Sequence, residues 1–155
     1  MLFVLFSAGD DRFAISSRQV EEIIPLAQLK SLPHSHPAFA GLLNYHGTPI
    51  PILDFNVLLG LPPVEPCFVS RIMLCNATFG NRPPRLLGLL AQKVTETRNL
   101  PEFKFIDPGA RPSDAGYLGK IYEETDGRFL QWIHPEKILP QAVLEELGIT
   151  TMSAK

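Results

Sequence analysis

The sequence predicts a mainly β fold built as two packed subdomains, and three observations carry that prediction. Fifteen prolines and eleven glycines divide the 155 residues into short apolar runs of strand length. Helical periodicity is scarce, being confined to one stretch near the middle and to the C-terminus. A Gly-led strand, a turn, a second strand and a short helix-like tail run from Gly41 to Leu59, and the same order recurs from Gly116 to Leu139 without matching residues. Many short strands bounded by turn residues indicate a barrel or a sandwich, and the echo of form indicates two subdomains of similar topology.

The first half opens on the apolar run Leu2 to Ser7, reverses at Gly9-Asp10-Asp11, and continues through strands Arg12 to Ile15 and Val20 to Pro25. His34-Ser35-His36 lies between Pro33 and Pro37 and reads as an exposed linker. Gly41 to Tyr45 and Thr48 to Leu53 read as a strand, a tight reversal at His46-Gly47-Thr48 and a strand. Asp54 to Leu59 has the length of one or two helical turns, with Asp54 as N-cap.

The run Leu61-Pro62-Pro63-Val64-Glu65-Pro66 is read as the joint where the chain crosses between subdomains, near residues 61–67. Strands then follow at Phe68 to Asn76, Arg85 to Ala91, Lys93 to Arg98, Gly119 to Glu124 and Arg128 to Ile133. Gly80-Asn81-Arg82-Pro83-Pro84 makes a long loop, and Thr125-Asp126-Gly127 a hairpin turn. His134 to Leu139 and Gln141 to Leu147 read as short C-terminal helices separated by Pro140 and ended by Gly148. Val143, Leu144 and Leu147 form the stripe expected to dock on the barrels. Residues 1–148 are thus read as one domain and 149–155 as a frayed tail.

Bulk properties exclude several function classes. A chain of this size buries about two thirds of its unfolded surface and forms a core without metals or disulfides. A net charge of −2 gives no long-range attraction for phosphate backbones, so no nucleic-acid partner is expected. Charged residues make up 19% and hydrophobic residues 45%, which leaves room for apolar surface patches. The start Met1 to Gly9 lacks the basic region of a secretory signal, and no run approaches the roughly 18 apolar residues that span a bilayer. No membrane insertion and a cytoplasmic location follow as expectations. Cys67 and Cys75, placed on one strand-like run, would lie about 26 Å apart in extended chain and read as buried reduced thiols.

Catalytic signatures are missing from the sequence. It holds no Gly-x-Ser-x-Gly elbow, no phosphate-cradling glycine loop, no His-Glu-x-x-His and no Cys-x-x-Cys. The carboxylate pairs Asp10-Asp11, Glu21-Glu22, Glu123-Glu124 and Glu145-Glu146 are adjacent in sequence. In a strand such neighbours face opposite sides and read mostly as solvated edges or turns. His34 and His36, with His46 or His134 as a third ligand, are the strongest metal-like signal and define the alternative reading, a small β-barrel metal-dependent hydrolase or ligand-sensing domain. In GLLNYHGTPIPILDFNVLLG, Gly41 to Gly60, the polar residues Asn44, His46 and Asp54 are few and separated by apolar residues, which suits a binding surface better than a reaction centre.

The pattern of Gly41, apolar residues, Asn44, a turn closing on Gly47 and an apolar strand closing on Asp54 resembles the CheW-like adaptor domain of bacterial chemosensory systems. The likeness extends through Leu2 to Phe6, Gly9 to Ile15 and Val20 to Ile24. It continues in Leu32-Pro33, Pro37-Ala38-Phe39, Tyr117-Leu118-Gly119 and Pro135 to Leu139. The resemblance implies two five-stranded SH3-like β-barrels packed through a shared apolar seam, with no cofactor and no enzymatic activity. It also implies an adaptor that joins the cytoplasmic tip of a chemoreceptor to the regulatory domain of a CheA-type histidine kinase. Carried over by position, Val20, Glu22, Gly41, Asn44 and His46 are the expected receptor-groove residues, and exposed barrel ends the expected kinase contacts. This chain departs from the pattern at His46, where the family usually has Arg, and at Gln92, where it often has an acid.

Overall fold

The computed structural model describes all residues except 80, 82, 111, 113, 114 and 139–155. Ten strands are formed among the described residues: β1 (Leu2–Ala8), β2 (Asp11–Ser16), β3 (Val20–Pro25), β4 (Phe39–Tyr45), β5 (Thr48–Asp54), β6 (Arg71–Ala77), β7 (Arg85–Ala91), β8 (Lys93–Asn99), β9 (Leu118–Glu123) and β10 (Phe129–Ile133). They assemble into two five-stranded sheets, ordered β8-β1-β2-β10-β9 and β3-β6-β7-β5-β4. Each sheet repeats one plan. A hairpin (β1–β2 or β6–β7) has an antiparallel edge strand on one side and, on the other, a parallel neighbour that leads an antiparallel pair.

Strand alternation produces three apolar cores. Along β1, Phe3 and Leu5 face the interior of the first sheet with Ala14, Leu100, Phe105 and Leu130, while Val4, Phe6 and Ala8 face the other way. Along β6, Ile72 and Leu74 face the interior of the second sheet with Leu43, Ile50 and Ile52, while Met73 and Cys75 face the other way. These second faces meet in a seam containing Phe6, Phe13, Phe55, Leu87 and Leu89, in which the Phe55 ring stands edge-on to Phe6 and Phe13 with centroids 5.1 Å away. The two subdomains and their shared seam are as expected.

Closure of each barrel is partial. At the open edge of the second sheet, among the described residues, a single isolated bridge joins the segment that follows β3 to β4, Lys30 and Leu42 exchanging hydrogen bonds of 2.9 and 2.8 Å. Ile106 and Ile121 make the same bridge between the β8 and β9 sides, at 2.8 and 2.9 Å.

The crossing lies elsewhere than residues 61–67. That segment joins β5 and a short helix, α1 (Phe55–Leu58), to β6 within the same sheet. The chain changes sheet between β2 and β3, at the 3-10 turn Ser17–Gln19, and again between β7 and β8, at Gln92. Prolines at 62, 63 and 66 mark where ladder hydrogen bonding stops, which is a different property from a change of sheet. Each sheet therefore holds strands from both halves of the chain.

Other elements follow expectation closely. Asp54 caps α1, its Oδ1 accepting from Val57 N at 3.2 Å while Oδ2 accepts from Val64 N at 2.9 Å. The expected helix at His134 is a 3-10 turn, Pro135–Lys137, and the expected helix Gln141 to Leu147 and the tail lie outside the described residues. Cys67 is exposed because the strand starts at Arg71 and leaves it in the preceding turn, whereas Cys75 is buried as expected.

Candidate interaction surface

The rim between β3 and β4 gathers most of the residues singled out from sequence. The β4–β5 hairpin turns through His46 (φ 52) and Gly47 (φ 89), both left-handed, as a two-residue loop requires if it is to match strand twist. Asn44 fixes the turn, its Oδ1 accepting from Gly47 N at 2.8 Å, so its role here is structural. His46 is exposed, as expected, and its ring lies 4.5 Å, centroid to centroid, from that of Tyr45.

Tyr45 reaches across the gap and donates its hydroxyl hydrogen to Glu22 on β3. That hydrogen bond, followed by slight desolvation and the negative charges of Glu22 and Glu21, raises the phenol above its ordinary pKa. Sequence reading passed over Tyr45 as the end of a strand. Its signal was alternation: Leu43 belongs to the interior of the second sheet, and Tyr45, two residues on, packs on the same cluster and closes its mouth.

Gly41 sits in the same gap. Its φ of 143° and a Cβ position 2.7 Å from the Lys30 carbonyl oxygen show that glycine is needed for the Lys30–Leu42 bridge. Val20 is half-buried against the seam, opposite Cys75. Glu22, Asn44 and His46 are thus joined through Tyr45, Gly41 supports them from the bridge, and Val20 stands where β3 leaves the seam.

The first sheet carries a counterpart that sequence reading missed. In β3 a bulge separates Val20, opposite Cys75, from Glu22, opposite Leu74. In β8 the same irregularity separates Val94, opposite Phe6, from Glu96, opposite Leu5. Val94, like Val20, packs against the seam. At the mouth of this sheet an ion-pair cluster takes the place of Tyr45 and Glu22: Arg12 bonds Glu124 at 2.8 Å and Glu96 at 3.3 Å, and Arg98 bonds Glu124 at 3.1 Å. Glu124 is only 9% exposed, so it is not the solvated edge the adjacent-carboxylate argument suggested; two guanidinium groups hold it in place.

The metal-like signal does not assemble. His34 is exposed with a φ of 66°, and His36 Nδ1 accepts from Ala38 N at 3.1 Å. Among the described residues no group of three or more His, Cys, Asp or Glu side chains is placed to hold a metal. Gln92 occupies the second crossing, where its side chain accepts from Asn56 Nδ2 at 3.2 Å and its carbonyl from Ser70 Oγ at 3.3 Å. Among the described residues no helix is long and apolar enough to cross a membrane.

Paired five-stranded sheets with polar mouths and a shared apolar seam define a tandem module of two partly closed β-barrels. The model of the CheW-like domain matches residues 2–143, and the chain belongs to that family, whose members are non-enzymatic scaffolds. It is 28% identical over 93 residues to the chemotaxis protein CheW of Rhizobium meliloti (strain 1021), an alignment covering 60% of this chain and 57% of that one. It is 27% identical over 93 residues to the probable chemotaxis protein CheW of Rhizobium etli, with the same coverage of 60% and 57%. The alignments thus span less than two thirds of these relatives. The fold is shared with the scaffolding protein TtCheW of Thermoanaerobacter tengcongensis, at a TM-score of 0.77 and 20% identity over 88% of this chain and 90% of that one.

Proposed function

We propose that this domain is a non-enzymatic adaptor of a chemosensory pathway, acting in the cytoplasm and coupling the tip of a chemoreceptor to the regulatory domain of a CheA-type histidine kinase. The match to the CheW-like family across residues 2–143 carries this reading. The receptor's helical hairpin docks along the seam between the barrels, in a helix-in-groove manner. Val20 contributes an apolar contact, Glu22 and His46 contribute the polar rim, and Gly41 and Asn44 hold that rim in shape. The twofold repetition of the Val and Glu positions, with Val94 and Glu96 answering Val20 and Glu22, supports a groove that offers similar walls to two helices.

His46 distinguishes this groove. A neutral imidazole offers one donor where arginine offers a fixed fork. Replacing His46 by Arg leaves the fold intact, because the side chain is exposed, and alters receptor affinity. Co-sedimentation of both forms with receptor-bearing membranes measures this, and indistinguishable binding removes His46 from the groove. A pull-down with the regulatory domain of the kinase tests the coupling itself, and failure to bind either partner overturns the reading.

A further inference from the structure

Glu22 is an exposed side chain on an edge strand, a setting in which a glutamate samples many rotamers. Tyr45 removes that freedom. Its hydroxyl donates to Glu22 Oε1, and among the described residues this is the one side-chain hydrogen bond that joins β3 to β4. Tyr45 is itself held from two sides. It packs on the interior cluster of the second sheet, which contains Leu43, Ile50 and Leu74, and the His46 ring lies against it at a tilt of 56°. Half-buried and packed in this way, the phenol places the carboxylate and not the reverse.

An ionised carboxylate offers about four acceptor sites, and Tyr45 fills one of them. The donor is neutral, so the charge of Glu22 stays uncompensated. The mouth of the first sheet is built the other way. There Glu124 is 9% exposed and accepts from both Arg12 and Arg98, which compensates its charge within the molecule. Among the described residues neither Glu21 nor Glu22 is in an ion pair, and Glu21 accepts from another neutral donor, Asn76 Nδ2, at 2.9 Å. Of the two matching mouths, the second is the one that presents a fixed and charged acceptor at the surface.

We propose that Tyr45 is a positioning residue of the receptor groove: it orders the Glu22 carboxylate in advance while leaving acceptor sites open for a donor on the partner. This role rests on the groove proposed above, and it falls to a residue outside the set carried over by position. An interface side chain ordered before docking binds about two- to tenfold more tightly than one that docking must order.

Tyr45→Phe keeps the ring and its packing and removes only the hydroxyl. In co-sedimentation with receptor-bearing membranes, Tyr45→Phe is expected to bind about two- to tenfold more weakly than the wild type. Glu22→Ala is also expected to bind more weakly, and the double variant no more weakly than Glu22→Ala alone, because the hydroxyl acts through the carboxylate. Circular dichroism confirms that each variant is folded. NMR of protein labelled with 13C at tyrosine Cζ follows the phenol directly, with Tyr45→Phe identifying its resonance. The Tyr45 titration is expected to move to lower pH in Glu22→Ala, a change that a ring serving only to fill space would not show. Equal binding by wild type and Tyr45→Phe, losses that add in the double variant, or a phenol that titrates alike with and without Glu22 overturns the proposal. A wild type that does not bind the membranes overturns the receptor groove itself, and this role with it.

Discussion

Cys75 and Cys67 show how far one residue's setting departs from its type. Burial in the seam pushes the Cys75 thiol up to about 12, because nothing there solvates a thiolate. Cys67, exposed in its turn, has a thiol held below its ordinary range, chiefly by its hydrogen bond with Ser70. A thiol reagent at neutral pH is therefore expected to modify one cysteine in the folded protein and two after unfolding. The linkage has a definite sign. The folded state keeps the Cys75 proton up to about 12 while the unfolded chain releases it above about 9, so stability is intact below about 9 and falls between those values. The limiting slope for this one group is about 1.4 kcal/mol per pH unit. Urea titrations of wild type and Cys75→Ala at several alkaline pH values check this, and equal slopes in the two proteins contradict it. The sequence placed both cysteines on one strand, and only the later start of β6, after a turn organised by Ser70, separates their fates.

At the scale of elements, the two sheets solve one packing problem in the same way. Inside the second barrel Gly88 faces Ile52, to which it is paired across β5 and β7; inside the first, Ala14 faces Trp132 across β2 and β10. A Cβ on Gly88 would stand 2.2 Å from Ile52 Cδ1 and 3.3 Å from Ile72 Cγ2. Gly88→Ala is thus expected to overpack the interior and cost about 1–3 kcal/mol. Ile52→Val removes the clashing methyl, so the double variant is expected to be more stable than Gly88→Ala alone. Chemical denaturation of the four proteins in this cycle measures the coupling, and strict additivity denies the contact. The strands themselves were legible because alternation and turn chemistry are local: β3, β5 and β7 lie within a residue of where apolar runs and glycines place them. The turn between β4 and β5 was legible for the same reason, since His46-Gly47 after an apolar strand admits few conformations. Tyr45 and Glu124 were not legible, because what gives each its role is a partner far away in sequence, Glu22 for one and Arg12 and Arg98 for the other.

For the whole molecule, the decisive feature is the exchange of strands between halves. The internal echo rightly signalled two similar units, but similarity of form does not say which strands share a sheet, and the proline-rich run at 61–66 drew the crossing to the wrong place. The consequence is mechanical. The first half contributes β1 and β2 to one sheet and β3 to β5 to the other, and the second half does the reverse. Neither half alone can complete a sheet: β3 would lose its only lateral partner, β6, and β8 its partner, β1. Each would expose unpaired strand edges and the apolar faces of the seam, a state that hydrophobic burial does not support. Fragments 1–64 and 65–155, made separately, are therefore expected to lack cooperative unfolding transitions and dispersed amide spectra. Mixed in equal amounts, they are expected to reconstitute the ten-stranded fold, since the break falls in a loop joining strands of the same sheet and severs no ladder. A fragment that folds by itself would show that its sheet needs no strands from the other half. What holds the two barrels together is therefore the apolar seam and the two short crossings, at Ser17–Gln19 and Gln92, since every strand ladder lies within one sheet and parting the barrels would expose the seam to water.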